Sequence, residues 1–486
     1  MTSSPISDLS GRRPSILMIN TDQQRRDSVG AYGSPICKTP TTDRLAAQGL
    51  RFDNAYTPTG LCSPVRCSLL TGLYPHGHRV LTNVALHPIR AQLEPGDDLL
   101  ANGLKAQGYR LGYAGKWHVS KAEPPAFGYD HYVSLGDFET YRREKNLPLP
   151  DQFFDYTKQV CARDPAPAEH SRPAFLADAA IEMIETLSGN DPFFVRLEFH
   201  GPHFPNVVAE PFFSMYPPDD IPPWPNADDP LEGKPSVQRI KQRHWRTENL
   251  PWSAWQKLIS AYFGEISLID AQIGRVLDRL DQLGLADDTL VICTTDHGDT
   301  IGAHGICNKD YTMYEEIYRV PMIMRWPGKI EAGGVTAAYT HHFLDLFATY
   351  LDVAGVSPPD LCHGRSLLPL VRGEIPENWP KDAYCQFHGS HMGLYSMRLL
   401  SNDDYAYIYH TNDIDELYDR RNDPHQLHNL AENPGSHVAS LDAMKRRMVA
   451  WMAATDDHIW NEWTVDWLTE DPKLMAEAPG RRKTKW

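Results

Sequence analysis

Short apolar runs, each closed by a cluster of polar residues, recur along the chain and give its first organisation. Residues 16–19 (Ile-Leu-Met-Ile) lie between Pro14 and Asn20-Thr21-Asp22-Gln23, the pattern of a buried parallel strand. Residues 109–114 end in Gly115-Lys116-Trp117-His118, residues 193–199 in His200-Gly201-Pro202-His203, and residues 289–294 in Thr295-Asp296-His297-Gly298-Asp299. Residues 319–324 read as a further strand. Helical spacing separates these runs at 41–49, 99–108 and 174–187. It returns at 255–283, where Ala261, Ile266, Ile269, Ile273, Val276 and Leu280 make one apolar face. Strands alternating with helices predict an α/β fold, and in open α/β sheets ligands gather at the carboxyl ends of the strands. Four predicted strands thus carry Asp22, Lys116 with His118, His203, and Asp296 with His297 to one edge.

Two stretches interrupt this alternation. Residues 123–170 are rich in Pro, Asp and Tyr and show no periodicity, so they are expected to be irregular. Residues 205–256 hold many prolines and the tryptophans Trp224, Trp245, Trp252 and Trp255, which favours a substrate-side wall over a contact between copies. Beyond residue 370 the texture changes, with short alternating runs at 384–388, 395–400 and 405–409. We expect a catalytic domain over 1–375 and a smaller C-terminal α+β subdomain with antiparallel strands over 376–486. Its tail carries Trp460, Trp463, Trp467 and Trp486, which would cap either a neighbouring copy, making a homo-oligomer, or its own active site.

Composition narrows the partners. The chain has 486 residues, 41% hydrophobic and 23% charged, as in ordinary soluble proteins. Its formal charge of −16 argues against nucleic acid or an anionic membrane, so an anionic substrate needs a local basic pocket. The first residues lack an apolar signal-type segment, and no apolar run reaches the length of a membrane span. A cytoplasmic protein is expected. The eight cysteines are scattered without a Cys-x-x-Cys pair and read as mostly reduced core residues.

One of them stands apart. In Leu61-Cys62-Ser63-Pro64-Val65-Arg66, Ser63 can serve as an N-cap and Pro64 suits the first helical position, so Cys62 is expected at a helix N-terminus. Unpaired N–H groups, the helix dipole and Arg66 favour a sulfate or phosphate there. The plain alternative is a buried cysteine acting as a small hydrophobe. The pattern Cys62-x-Pro64-x-Arg66 followed by Leu69-Leu70-Thr71-Gly72 resembles the signature of the type I sulfatases of the alkaline-phosphatase superfamily. Gly115-Lys116-Trp117-His118 resembles that family's second signature. Asp296-His297-Gly298-Asp299 with Lys309 resembles its third conserved block, and the stretch 416–430 its closing motif.

The resemblance implies an alkaline-phosphatase-like fold, a large mixed and mainly parallel sheet flanked by helices. It implies that Cys62 is oxidised, by a formylglycine-generating enzyme, to the formylglycine that serves as nucleophile, and that Asp22, Gln23, Asp296 and His297 hold one divalent cation. Carboxylate and amide oxygens suit Ca²⁺, and a His ligand also admits Mn²⁺. Many sulfatases carry Asp-Asp where this chain has Asp22-Gln23, and often Asn in place of His297. The Asp-Gln pair resembles the choline-sulfatase and phosphonate monoester hydrolase branches. By the same resemblance Arg66, Lys116 and Lys309 stabilise the equatorial oxygens of the ester, and His203 and Lys309 serve the leaving alcohol. His118 takes the proton that lets sulfate depart, and Asn83 is a substrate contact. The expected activity is hydrolysis of a sulfate monoester on a small molecule or a saccharide. The rival is a phosphonate monoester or phosphodiester hydrolase with the same nucleophile. A non-catalytic binding protein would be expected to have lost part of the basic set, yet Arg66, Lys116, His118, His203 and Lys309 are all present.

Overall fold

The computed structural model describes residues 13–83, 91–155, 157, 160–471 and 473–474, with the backbone alone for residues 152–155. The first twelve residues and Trp486 lie outside the described residues. In chain order the strands are β1 (Ser15–Asp22), β2 (Leu50–Ala55), β3 (Arg110–Gly115), β4 (His131–Val133), β5 (Asp151–Asp155), β6 (Val160–Asp164), β7 (Phe193–Pro202) and β8 (Asn206–Ala209). They continue with β9 (Thr289–Thr295), β10 (Met322–Arg325), β11 (Gly334–Thr340), β12 (Ala383–Ser390), β13 (Gly393–Ser401), β14 (Tyr405–His410) and β15 (Glu416–Asp419). Eight form the main sheet in the order β11-β2-β10-β9-β1-β7-β3-β4. All neighbours are parallel except β10, which runs antiparallel to both β9 and β2.

The uninterrupted apolar runs are explained by burial on both faces. Ile16 and Met18 of β1 join the core beneath one layer, and Leu17 and Ile19 the core beneath the other. The helices Cys62–Thr71, Leu99–Ala106 and His342–Val353 contribute to the first core, and Arg172–Leu187 and Trp252–Gln282 to the second. Among the described residues no helix is long and apolar enough to cross a membrane.

The C-terminal part forms a separate antiparallel sheet, β12-β13-β14-β15. The helices Val438–Ala454 and Glu462–Thr469 pack with it around Met444, Met448 and Leu468. Trp463 and Trp467 remain 68% and 74% exposed.

Three local expectations are corrected. Residues 123–170 are not irregular: they hold β4 to β6 and the helix Leu135–Glu144, which Ser134 and Asp137 close in a reciprocal capping box. These elements are too short to show a period. Residues 205–256 are not chiefly a wall, because Trp245 and Trp255 are buried in a core with Trp224 and Trp252 packed against it. The helix Ser236–Trp245 lies within that stretch. Finally, the Cys62 helix starts two residues earlier than the Ser63-Pro64 pair suggests. Leu61 occupies the N-cap position, its carbonyl accepting from the Val65 N–H at 3.0 Å, and Cys62 is already helical.

Candidate active site

Strands β9, β1, β7 and β3 lie side by side and parallel, so the polar clusters that follow them converge. Two motif glycines permit the close approach. A Cβ on Gly115 would stand 1.9 Å from the Glu198 carbonyl oxygen, and one on Gly298 1.9 Å from that of Glu316. Gly115 also sits at φ 116°, a backbone region that glycine adopts readily. The Lys116 N–H then donates to the Glu198 carbonyl at 3.0 Å, which fixes where the lysine leaves the sheet.

Cys62 is fully buried at the centre. Its Sγ lies 3.2 Å from His297 Nε2, 3.7 Å from Asp22 Oδ1 and 3.7 Å from Lys116 Nζ. Burial alone would raise the thiol, but Lys116, Lys309 and His297 outweigh it and hold it well below the usual thiol range. The helix end beside it is capped from a distance: Asn83 Oδ1 accepts from the Ser63 N–H at 3.0 Å. The carboxamide thus does what the Ser63 side chain was expected to do.

Two buried carboxylates face the sulfur. Lys116 Nζ donates to Asp22 Oδ2 at 2.5 Å. Burial and the Cys62 sulfur push Asp22 up, yet Lys116, His203 and Arg66 prevail and hold it well below the carboxylate range. For Asp296 burial and the Asp22 charge prevail instead and push it up to about 7. His297 Nδ1–H donates to the Gly298 carbonyl at 3.0 Å, so its Nε2 is turned towards the sulfur and Asp296.

One ligand atom from each of Asp22, Cys62, Asp296 and His297 lies within 4.8 Å of the others. Two repelling carboxylates and an imidazole around one point fit a divalent cation, since a positive charge there offsets the burial and the Asp22 charge that push Asp296 up. Gln23 stands beside this group. Its Oε1 accepts from Lys309 Nζ, its Nε2 donates to Asp299, and its backbone N–H donates to Asp296 Oδ1 at 3.1 Å.

Arg66 has structural contacts that the resemblance did not imply. It is fully buried, and its Nη2 donates to Asp22 and Asp296, both at 3.1 Å, while its Nη1 donates to Glu198 and to the Lys116 carbonyl, both at 2.9 Å. The guanidinium braces three carboxylates through its Nη atoms, while its buried Nε has no hydrogen-bond partner among the described residues. Lys116 and Lys309 remain as the cations close to the sulfur. His203 donates from Nδ1–H to the Phe204 carbonyl at 2.6 Å and its ring also bonds the sulfur. Burial, with Lys309 and Lys116 beside it, lowers His203 to about 4, so it is neutral near pH 7. His118 sits at φ 52°, bonds the sulfur, and keeps a buried Nδ1 without a hydrogen-bond partner among the described residues.

Sequence reasoning missed Glu198, Arg196 and Asp299. Glu198 accepts from Arg66, from Asn20 at 2.8 Å and from two nitrogens of Arg196. The available signal was a pair of charges two residues apart inside a buried strand, a position charged side chains hold only when paired. Asp299 accepts from Gln23 and from the N–H groups of Ile301 and Asn308 at 2.7 and 2.8 Å, shaping the loop that delivers Lys309. It was visible as the last residue of Asp-His-Gly-Asp.

Residues 14–356 match the family described as Sulfatase, and residues 302–453 match the C-terminal family of N-sulphoglucosamine sulphohydrolase. The chain belongs to the sulfatase family. This sulfatase is 26% identical over 483 residues to an N-acetylglucosamine-6-O-sulfatase of Bacteroides thetaiotaomicron, covering 86% of this chain and 83% of that one. It is 27% identical over 478 residues to a choline-sulfatase of Rhizobium meliloti, covering 94% and 90%. Its fold is similar to the phosphonate monoester hydrolase of Agrobacterium radiobacter, with a TM-score of 0.80, 24% identity, and 91% and 96% of the two chains covered. The sulfatase is a sulfuric ester hydrolase of alkaline-phosphatase fold.

Proposed function

We propose that the sulfatase cleaves a sulfate monoester carried by a saccharide, using a formylglycine matured from Cys62 and one divalent cation held by Asp22, Gln23, Asp296 and His297. The observation that carries this reading is the position of Cys62 Sγ, which touches two of the four proposed ligands, Asp22 and His297, and the Lys116 amine. The named activity of the N-acetylglucosamine-6-O-sulfatase relative supports a saccharide. The formyl group, once formed and hydrated, supplies a hydroxyl nucleophile in place of the thiol. The cation, when bound, supplies a Lewis acid for that hydroxyl and for a sulfate oxygen. Ca²⁺ suits the two carboxylates, with Mn²⁺ as the alternative that His297 admits.

The remaining work falls to the chain's own residues. Lys116 and Lys309, buried and fixed by Asp22 and Gln23, present positive charge where the sulfuryl oxygens gain negative charge, and burial strengthens that attraction. Arg66 holds Asp22 and Asp296 in one orientation. Lys309 and His203 flank the leaving oxygen, and His118 receives the proton whose removal releases sulfate.

The reading is tested by comparing rates on an aryl sulfate and an aryl phosphonate monoester, with Ca²⁺ and with Mn²⁺. Faster sulfate cleavage is expected. Faster phosphonate cleavage would refute it in favour of the hydrolase that shares the Asp22-Gln23 pairing.

A further inference from the structure

A cavity of about 680 Å³ lies outside the catalytic centre and contains none of its residues. One side comes from Leu73, His76 and Arg79, in the chain just after the Cys62–Thr71 helix, and the other from residues 455–463 of the C-terminal part. Its lining combines two kinds of surface. Trp460, Leu73 and the rim residues Trp463 and Leu361 are apolar, and the rim pair is 68% and 78% exposed. Between them stand Arg79, His363 and Glu462, each able to hydrogen-bond.

The walls are preorganised. His76 Nδ1 accepts from Gln386 Nε2 at 2.7 Å while its Nε2–H donates to the Thr455 carbonyl at 2.7 Å, so one imidazole ties the two sides together. Asp457 is consumed by Arg398 at 2.7 and 2.9 Å, by Tyr384 at 2.5 Å and by Gln386 at 2.8 Å, and serves as a strut. His363 Nδ1 accepts from the Tyr74 N–H at 3.0 Å, which leaves Nε2–H as a donor for a ligand. Burial lowers His363 to about 4, so it offers that hydrogen bond as a neutral ring.

The same frame reaches the nucleophile loop. The Gln386 N–H donates to the Pro58 carbonyl at 2.8 Å, four residues before Cys62, and Thr57 Oγ1 donates to the Asp296 carbonyl at 2.7 Å. Concave shape with this lining disfavours two common occupants. A flat protein partner needs a broad face, and a purely apolar ligand would strand the polar groups. A pyranose fits both surfaces, because its C–H face is apolar and its hydroxyls ring the edge.

We propose that this cavity is a saccharide subsite that binds a sugar unit remote from the cleaved sulfate ester, with the indoles of Trp460 and Trp463 against the ring and Arg79, His363 and Glu462 on its polar groups. The proposal rests on the reading of the substrate as a saccharide sulfate and extends it to an oligosaccharide.

The test uses the full chain, matured and metal-loaded, on an array of sulfated and unsulfated oligosaccharides, alongside turnover of para-nitrophenyl sulfate. The wild type is expected to retain oligosaccharides. Trp463→Ala, at an exposed position, is expected to weaken binding of the retained oligosaccharide about tenfold while para-nitrophenyl sulfate turnover stays within about twofold. Arg79→Ala provides a second variant with the same expected separation. A wild type that retains no saccharide overturns the subsite, as does unchanged affinity in both variants. Loss of aryl sulfate turnover in the wild type would instead refute the hydrolase reading, and the array would still decide the subsite.

Discussion

Replacing Glu198 with Gln perturbs the site without touching the sulfur. The Glu198 carboxylate accepts on one oxygen from Arg66 Nη1 at 2.9 Å and Asn20 Nδ2 at 2.8 Å, and on the other from two nitrogens of Arg196. A carboxamide of the same shape can serve only one of these pairs, because its NH₂ would face two donors on the other side. If the Arg66 side is lost, a charge-assisted bond worth about 1.5–3 kcal/mol goes with it, and the stranded buried charge brings the total to about 3–5 kcal/mol. Part of that loss appears as freedom of Arg66, whose Nη2 braces Asp22 and Asp296. Outer partners of ligands typically influence metal affinity by about 10–100-fold, and we expect Glu198→Gln to weaken the cation by that amount. The assay is calorimetric titration of chelator-treated protein with Ca²⁺ and Mn²⁺, with the melting temperature measured on the same samples. Unchanged affinity together with an unchanged melting temperature would refute the bracing role of Glu198 and of Arg66 behind it.

Other perturbations test separate parts of the account. Cys62→Ala is expected to abolish turnover with the circular dichroism spectrum unchanged, and a collapsed spectrum would support a purely structural cysteine. Asp296→Asn should lower bound metal, measured by elemental analysis after dialysis, and undiminished content would contradict the ligand set. Asn83→Ala removes the acceptor for the Ser63 N–H and should destabilise by about 1 kcal/mol, read as a lower melting temperature. Burial raises the Asp457 carboxyl, but Arg398 and His76 outweigh it and hold it well below the usual range, with His458 and Tyr384 also facing it. Its stabilising effect is therefore full above the unfolded value of about 3.9 and disappears as pH falls below that. The melting-temperature gap between wild type and Asp457→Asn should hold steady from about pH 7 to about pH 5 and narrow below about pH 4. A gap already closed near neutrality would contradict this.

Much of this architecture was legible because buried parallel strands announce themselves. The run 16–19 needs apolar residues on both faces of β1, and its polar terminus Asp22 then has to lie at the ligand edge. Lys116, His203 and Asp296 were found for the same reason, each just beyond a strand that packs in one parallel group. What stayed hidden depends on partners far away in the chain. The bracing contacts of Arg66 stayed out of sight because its three carboxylates come from positions 22, 198 and 296. The true cap of the Cys62 helix comes from Asn83, twenty residues downstream, whereas Ser63 was the local candidate. The antiparallel direction of β10 and the short elements of residues 123–170 likewise follow from tertiary packing and leave no periodic trace.

The most direct measurement of the central claim expresses the protein with and without a formylglycine-generating enzyme, quantifies the aldehyde at position 62 by peptide mass spectrometry, and measures aryl sulfate turnover of each metal-loaded sample. Turnover is predicted to rise in proportion to the converted fraction and to be absent where Cys62 remains a thiol. Equal turnover by the unconverted protein, or none by fully converted and metal-loaded protein, would contradict the account.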